Sequence, residues 1–110
     1  MGIGYLNTMD YRDTLDRLVI AFCHDYSARK ESIRQGTCNK RTRMEYEYIN
    51  DRIENAAREI VGSYYEIYIN EIGNCIGYAN SLVDNVCENL YKKIKKEVKI
   101  NIARKLHLID

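Results

Sequence analysis

The chain contains no proline and no tryptophan, a single phenylalanine and only six glycines. Without proline, nothing fixes φ or removes an amide donor inside a helix, so the glycines are the main punctuation. No apolar run approaches the roughly eighteen residues of a membrane span. The opening MGIGYLN is too short and too polar for a signal sequence, and Asn7 stands where a myristoylation signal wants Ser or Thr. The expectation is a cytoplasmic protein that does not enter a membrane. The net charge of +1 points to no partner by itself.

Several kinds of chemistry are missing as well. Cys23, Cys38, Cys75 and Cys87 include no CxxC pair, and His24 and His107 are poor supplements for a zinc site. The cysteines are read as reduced thiols, mostly core packing, with no metal or other cofactor expected. IGNCIG lacks the Gly-Lys-Ser end of a phosphate loop, and there is no HExxH. The acids Glu45, Glu47, Asp51, Glu54 and Glu59 spread around one polar helix face instead of converging. Cys23 and His24 are adjacent, which turns their side chains about 100° apart on a helix and suits no Cys-His nucleophile. An enzyme is not expected.

What is present is helical periodicity almost everywhere, with ten tyrosines among the apolar positions. Tyr11, Leu15, Leu18, Val19, Phe22, Tyr26 and Ile33 mark a first long helix. It starts near Thr8 or Asp10 and stops at Gly36. The loop to Arg43 follows, and a second helix runs from about Thr42 through Ile49, Ile53, Ala56 and Ile60 to Gly62. A short loop between two such helices predicts antiparallel packing. Ser63 is read as the cap of a shorter third helix carrying Tyr64, Tyr65, Tyr68, Ile69 and Ile72. A break at Gly73, Asn74 and Gly77 precedes a short helix from about Tyr78 to Val83. The tyrosine run serves as core with hydroxyls at the surface, or as a base-stacking platform.

The fold expected is one all-α domain over residues 1–110: a long antiparallel hairpin over 8–62, then a helix-turn-helix unit over 63–110 with a long basic last helix. Charge is unevenly distributed along it. Residues 44–87 hold two cations against eight carboxylates, while residues 29–43 hold six cations against one. This second block, with Arg29, Lys30 and Arg34 beside the loop, is either a solvated connection or an accessory phosphate grip.

The last quarter, VCENLYKKIKKEVKINIARKLHL from Val86 to Leu108, joins an apolar stripe to the densest positive charge. Cys87, Leu90, Tyr91, Ile94, Val98, Ile102 and Leu106 recur at steps of three and four. Lys92, Lys93, Lys95, Lys96, Lys99, Arg104 and Lys105 stand against only Glu88 and Glu97. Such a face either meets water or meets a polyanion.

The order of residues here resembles the C-terminal segment of phage transcriptional regulators of the ArpU and RinA type. Cys87 stands for the family's small cap, Leu90 and Tyr91 for its Thr-Tyr pair, and Ile102, Ala103 and Leu106 match its tail. The helix before the turn departs from the family pattern, offering only Ala79 and Leu82 at the right separation, with Asn85 in place of a turn glycine. The resemblance implies a sigma-factor-like helix-turn-helix, double-stranded DNA as partner, and RNA polymerase as a further one.

On that basis the expected DNA contacts are Asn89, Lys92, Lys93, Lys96, Lys99 and Arg104. Asparagine suits a bidentate contact to adenine, and the lysines supply salt-dependent attraction to phosphate. The alternative is a non-enzymatic helical homo-oligomer or adaptor. There the stripe of residues 11–33 in the N-terminal hairpin is the interface, and acidic middle meets basic end between copies.

Overall fold

The computed structural model describes residues 13–109. The expectations placed on Thr8, Asp10 and Tyr11 lie outside the described residues. Five α-helices follow one another: α1 (Asp13–His24), α2 (Tyr26–Gln35), α3 (Lys40–Val61), α4 (Tyr65–Gly73) and α5 (Glu88–Lys105). There is no strand among the described residues. The all-helical expectation holds.

The first long helix is bent into two. Asp25 interrupts it, yet the Asp25 amide still reaches Ala21 O at 3.3 Å and the Arg29 amide reaches Asp25 O at 3.0 Å. The bend falls where the end of α4 presses on it. A Cβ on Gly73 would sit 2.6 Å from the backbone carbon of Cys23 and the nitrogen of His24, so only glycine fits there. His24 Nδ1 donates to the Gly73 carbonyl at 3.1 Å, binding the two backbones together.

Past the bend, α2 stops at Gly36, left-handed at φ 68, whose amide donates to the Ile33 and Ser32 carbonyls. Asn39 caps α3 by accepting from the Thr42 amide at 2.9 Å. Only α2 therefore pairs with α3 as a hairpin, whereas α1 packs chiefly on α4. The most extensive helix contact is α3 with α5. Ala56 and Ala57 let the backbones approach there, against Ile102 and Ala103, all four fully buried.

All five helices feed one core. Leu15, Val19 and Cys23 of α1 meet Tyr26 of α2, Ile53 of α3, Ile69 and Ile72 of α4, and Val98 of α5. Of the N-terminal stripe, Leu15, Val19 and Tyr26 are buried in this core, while Leu18 stays exposed. The described chain measures 43 × 38 × 21 Å, its least dimension being two helix diameters.

The region before α5 differs from expectation. In place of a helix from Tyr78 to Val83 there is a three-residue 3-10 turn, Tyr78–Asn80, inside an irregular connection over 74–87. A helix-turn-helix links its helices by about three or four residues. Here fourteen residues separate α4 from α5. Asn85 does take the left-handed conformation, at φ 62. Ser63 caps nothing: it lies in a 3-10 turn, Gly62–Tyr64, and α4 begins after Tyr64 without a side-chain cap.

Candidate nucleic-acid face and the strap beside it

Helix α5 is held by its apolar side. Tyr91, Val98, Ile102 and Ala103 are buried, and Asn101, buried with them, donates to the Ala56 carbonyl and to Glu59, each at 2.9 Å. The Asn101 hydrogen bond, followed by that of Lys105, holds the Glu59 carboxyl below its usual range. With the helix fixed this way, Asn89, Lys92, Lys93 and Lys96 are all exposed. Steps of three and four place them on one outward row.

The seven cations of this stretch have unequal fates. Lys92 pairs with Glu88 one turn earlier at 2.8 Å, both well exposed, a contact worth only about 0.3–0.5 kcal/mol. Lys99 pairs with Asp16 of α1 at 2.9 Å, its side chain only 19% exposed. Lys105 pairs with Glu59 at 2.9 Å. Lys95 turns inward and donates to the Ile76 carbonyl, and burial, helped by the charge of Lys99, lowers its pKa. Lys93, Lys96 and Arg104 are exposed and have no carboxylate partner among the described residues. Arg104 lies about three turns beyond Lys93 on the same side of α5, beside Ile60, Glu97 and Ile100. Lys99, named with the others from sequence, is a strut between α1 and α5.

The earlier basic block is likewise largely engaged at home. Arg29 is buried, donating to Asn50 Oδ1 at 2.7 Å and to the Phe22 carbonyl. Arg41 and Arg43 lie beside Glu45 and Glu47 one turn on, Arg34 pairs with Glu31, and Lys30 reaches Glu66 at 3.7 Å.

The irregular connection over 74–87 forms a strap, and its anchor is a residue the sequence reading passed over. Glu71 of α4 is 0% exposed. Its Oε1 accepts from Ser81 Oγ at 2.6 Å and from Tyr91 OH at 2.7 Å, while Oε2 accepts from the Leu82 amide at 2.6 Å. Lys95 and Tyr91 both donate to Ile76 O, fixing the near end of the strap, and Tyr78 OH donates to Val86 O at 2.8 Å, fixing the far end. Tyr68 and Tyr91 stack with centroids 5.9 Å apart. Their burial makes them core, unavailable for stacking on bases. The available signal was a carboxylate set among Tyr68, Ile69 and Ile72 on a nine-residue helix, where every turn faces the core.

Burial pushes the Cys23 thiol up to about 12, and His24, tied to Gly73, does not pair with it. Cys75 and Cys87 are exposed free thiols. Among the described residues no three His, Cys, Asp or Glu side chains converge on a metal-sized site, and no helix is long and apolar enough to cross a membrane. No protein-family model matches the chain, and neither the curated proteins nor the solved structures contain a match to it.

Proposed function

We propose that the chain is a DNA-binding protein that presents the outer row of α5 to duplex DNA, and that it acts in the cytoplasm as a phage or prophage transcriptional regulator. The observation that carries this is a row: Asn89, Lys93 and Lys96 stand exposed on one side of α5, and neither lysine has a carboxylate or carbonyl partner among the described residues. Residues 89 to 96 span about 10 Å of helix, comparable to the roughly 12 Å width of the major groove. Asn89, in the first turn, is the base-reading candidate. Lys92, Lys93 and Lys96 meet flanking phosphates, Lys92 after releasing Glu88.

With α4 and α5 joined by the strap instead of a tight turn, the docking differs from a standard helix-turn-helix. The helix that braces α5 is α3, supported by α1 through the Asp16–Lys99 pair. RNA polymerase as a second partner rests on the family resemblance alone.

The test is fluorescence anisotropy of random and genomic duplexes across a salt series. Loss of Lys93 and Lys96 together reduces the slope of log K against log salt by about 1.8, at about 0.9 per phosphate. Asn89→Ala changes sequence preference by about 1–3 kcal/mol at one base pair. Lys99→Ala leaves the slope unchanged. Absence of binding at 50 mM salt, an ionic strength that favours even non-specific contacts, refutes the proposal.

A further inference from the structure

Eight large hydrophobic side chains are exposed on the described chain, among them Ile60, Tyr64, Leu82 and Leu90. Ile60 and Tyr64 line a hollow of about 310 Å³ closed by Tyr68, Val83, Val86 and Ile94. Leu90 lies one turn before Ile94 on α5, and Leu82 immediately precedes Val83. Leu82 is 75% exposed, yet its amide is fixed to the buried Glu71 carboxylate. An apolar side chain on a backbone held this firmly costs little further entropy to dock, the property of an interface anchor.

A second hollow, about 280 Å³, adjoins the first and shares Ile60 as a wall, continuing along α5 past Glu97 and Ile100 to Arg104. The combined groove carries opposite charges at its two ends. Asp84 marks the strap end, and Arg104 the far end. Neither has an ion-pair partner among the described residues, and Ile94 and Arg104 are separated by about 15 Å of helix. Glu97 lies between them, one turn from Lys93.

We infer that this groove is the contact surface of a homodimer, in which a second copy lies antiparallel so that Leu82 of each enters the groove of the other and Asp84 of each meets the other's Arg104. An exposed apolar side chain next in sequence to the groove wall at Val83, and opposite charges at the two ends of the groove, suit a two-fold, isologous contact. The surface borders the Asn89–Lys96 row along α5, and the inference does not depend on DNA binding.

Sedimentation velocity between 1 and 500 μM supplies the test. Wild type shifts from monomer to dimer in this range. Leu82→Ser, at a site too exposed to matter for folding, weakens association about tenfold, a loss of one apolar anchor. Asp84→Arg and Arg104→Asp each weaken it about tenfold or more, by placing like charges together twice. Mixed in equal amounts, these two single variants associate again, because both pairs are restored in the heterodimer, and the double variant dimerises alone. A wild type that stays monomeric at 500 μM overturns the inference, including the case in which the groove takes an amphipathic peptide from another protein. A dimer indifferent to all three substitutions, or single variants that fail to complement on mixing, overturns it equally.

Discussion

Replacing Glu71 separates two contributions that a single buried carboxylate makes. In Glu71→Ala, Ser81 Oγ, the Leu82 amide and Tyr91 OH all lose their acceptor within a site that is 0% exposed. Hydrogen bonds to a charged acceptor contribute about 1.5–3 kcal/mol each, and a stranded buried donor costs about 1–3 kcal/mol. Tyr91 retains the Ile76 carbonyl at 3.3 Å, and the strap moves into water when released, which relieves Ser81 and Leu82. The net loss is therefore nearer that of a broken buried network, about 3–5 kcal/mol, than the sum of the parts.

Glu71→Gln is predicted to behave differently. The amide oxygen takes the Leu82 N–H, which cannot reverse its role, and the NH₂ turns to the hydroxyls of Ser81 and Tyr91, which rotate to accept. Shape and hydrogen bonds survive with the charge removed, so the loss falls to about 1–2 kcal/mol. Urea unfolding of both variants gives the two values, and amide exchange at Leu82 reports the strap directly. Equal losses for Ala and Gln, or a loss below about 1 kcal/mol for Ala, would falsify the assignment of Glu71 as the anchor of residues 81 and 82.

Two further perturbations probe the rest of the frame. Gly73→Ala drives a methyl to 2.6 Å from the backbone of Cys23 and His24, where no flexible side chain can yield, and thermal unfolding should show a loss of about 3 kcal/mol. Gly77→Ala, with open space around the site, is the control and changes stability little. At alkaline pH the Tyr91 hydroxyl is pushed up to about 12, first by burial and then by its hydrogen bond to Glu71. A raised folded pKa means stability that is complete below the unfolded value near 10 and declines as pH rises through about 12. Unfolding followed from pH 9 to 12 should show that decline shrinking in Tyr91→Phe; an unaltered slope would remove Tyr91 from the alkaline transition.

Helices α3 and α5 were legible because period and stops agree locally. Gly36 and Gly62 each end a stripe, and the apolar steps from Tyr91 to Ile102 continue without interruption, whereas Asn39, read as part of the loop, caps α3. The interruption at Asp25 was not legible, since the groups that meet beside it, Gly73 against Cys23 and His24 and the Arg29 guanidinium on the Phe22 carbonyl, come together only in the fold. Tyr78–Val83 misled because Tyr78, Ala79 and Leu82 have helical spacing, although the structure leaves Leu82 facing outward and uses backbone and hydroxyl groups of the strap to satisfy Glu71. On the candidate face, the sequence showed which residues are cationic, while the partners of Lys95, Lys99 and Lys105 come from Ile76, Asp16 and Glu59 on other elements. Charge counted along the chain therefore overstated the charge offered outward.

The hydrogen bonds at residues 81 and 82 also alter how the connection between α4 and α5 behaves as a polymer. Pinned near its middle, the fourteen-residue segment is two short loops rather than one long one. Closing a flexible loop becomes only slowly more costly with length, so lengthening either half by a residue or two adds a few tenths of a kcal/mol. Moving the pin relative to Glu71 has no such tolerance. Insertions are accordingly excluded at Ile76, at 81–82 and at Val86, whose groups are held by other residues, and are admissible at Asp84 and Asn85 between the last two pins.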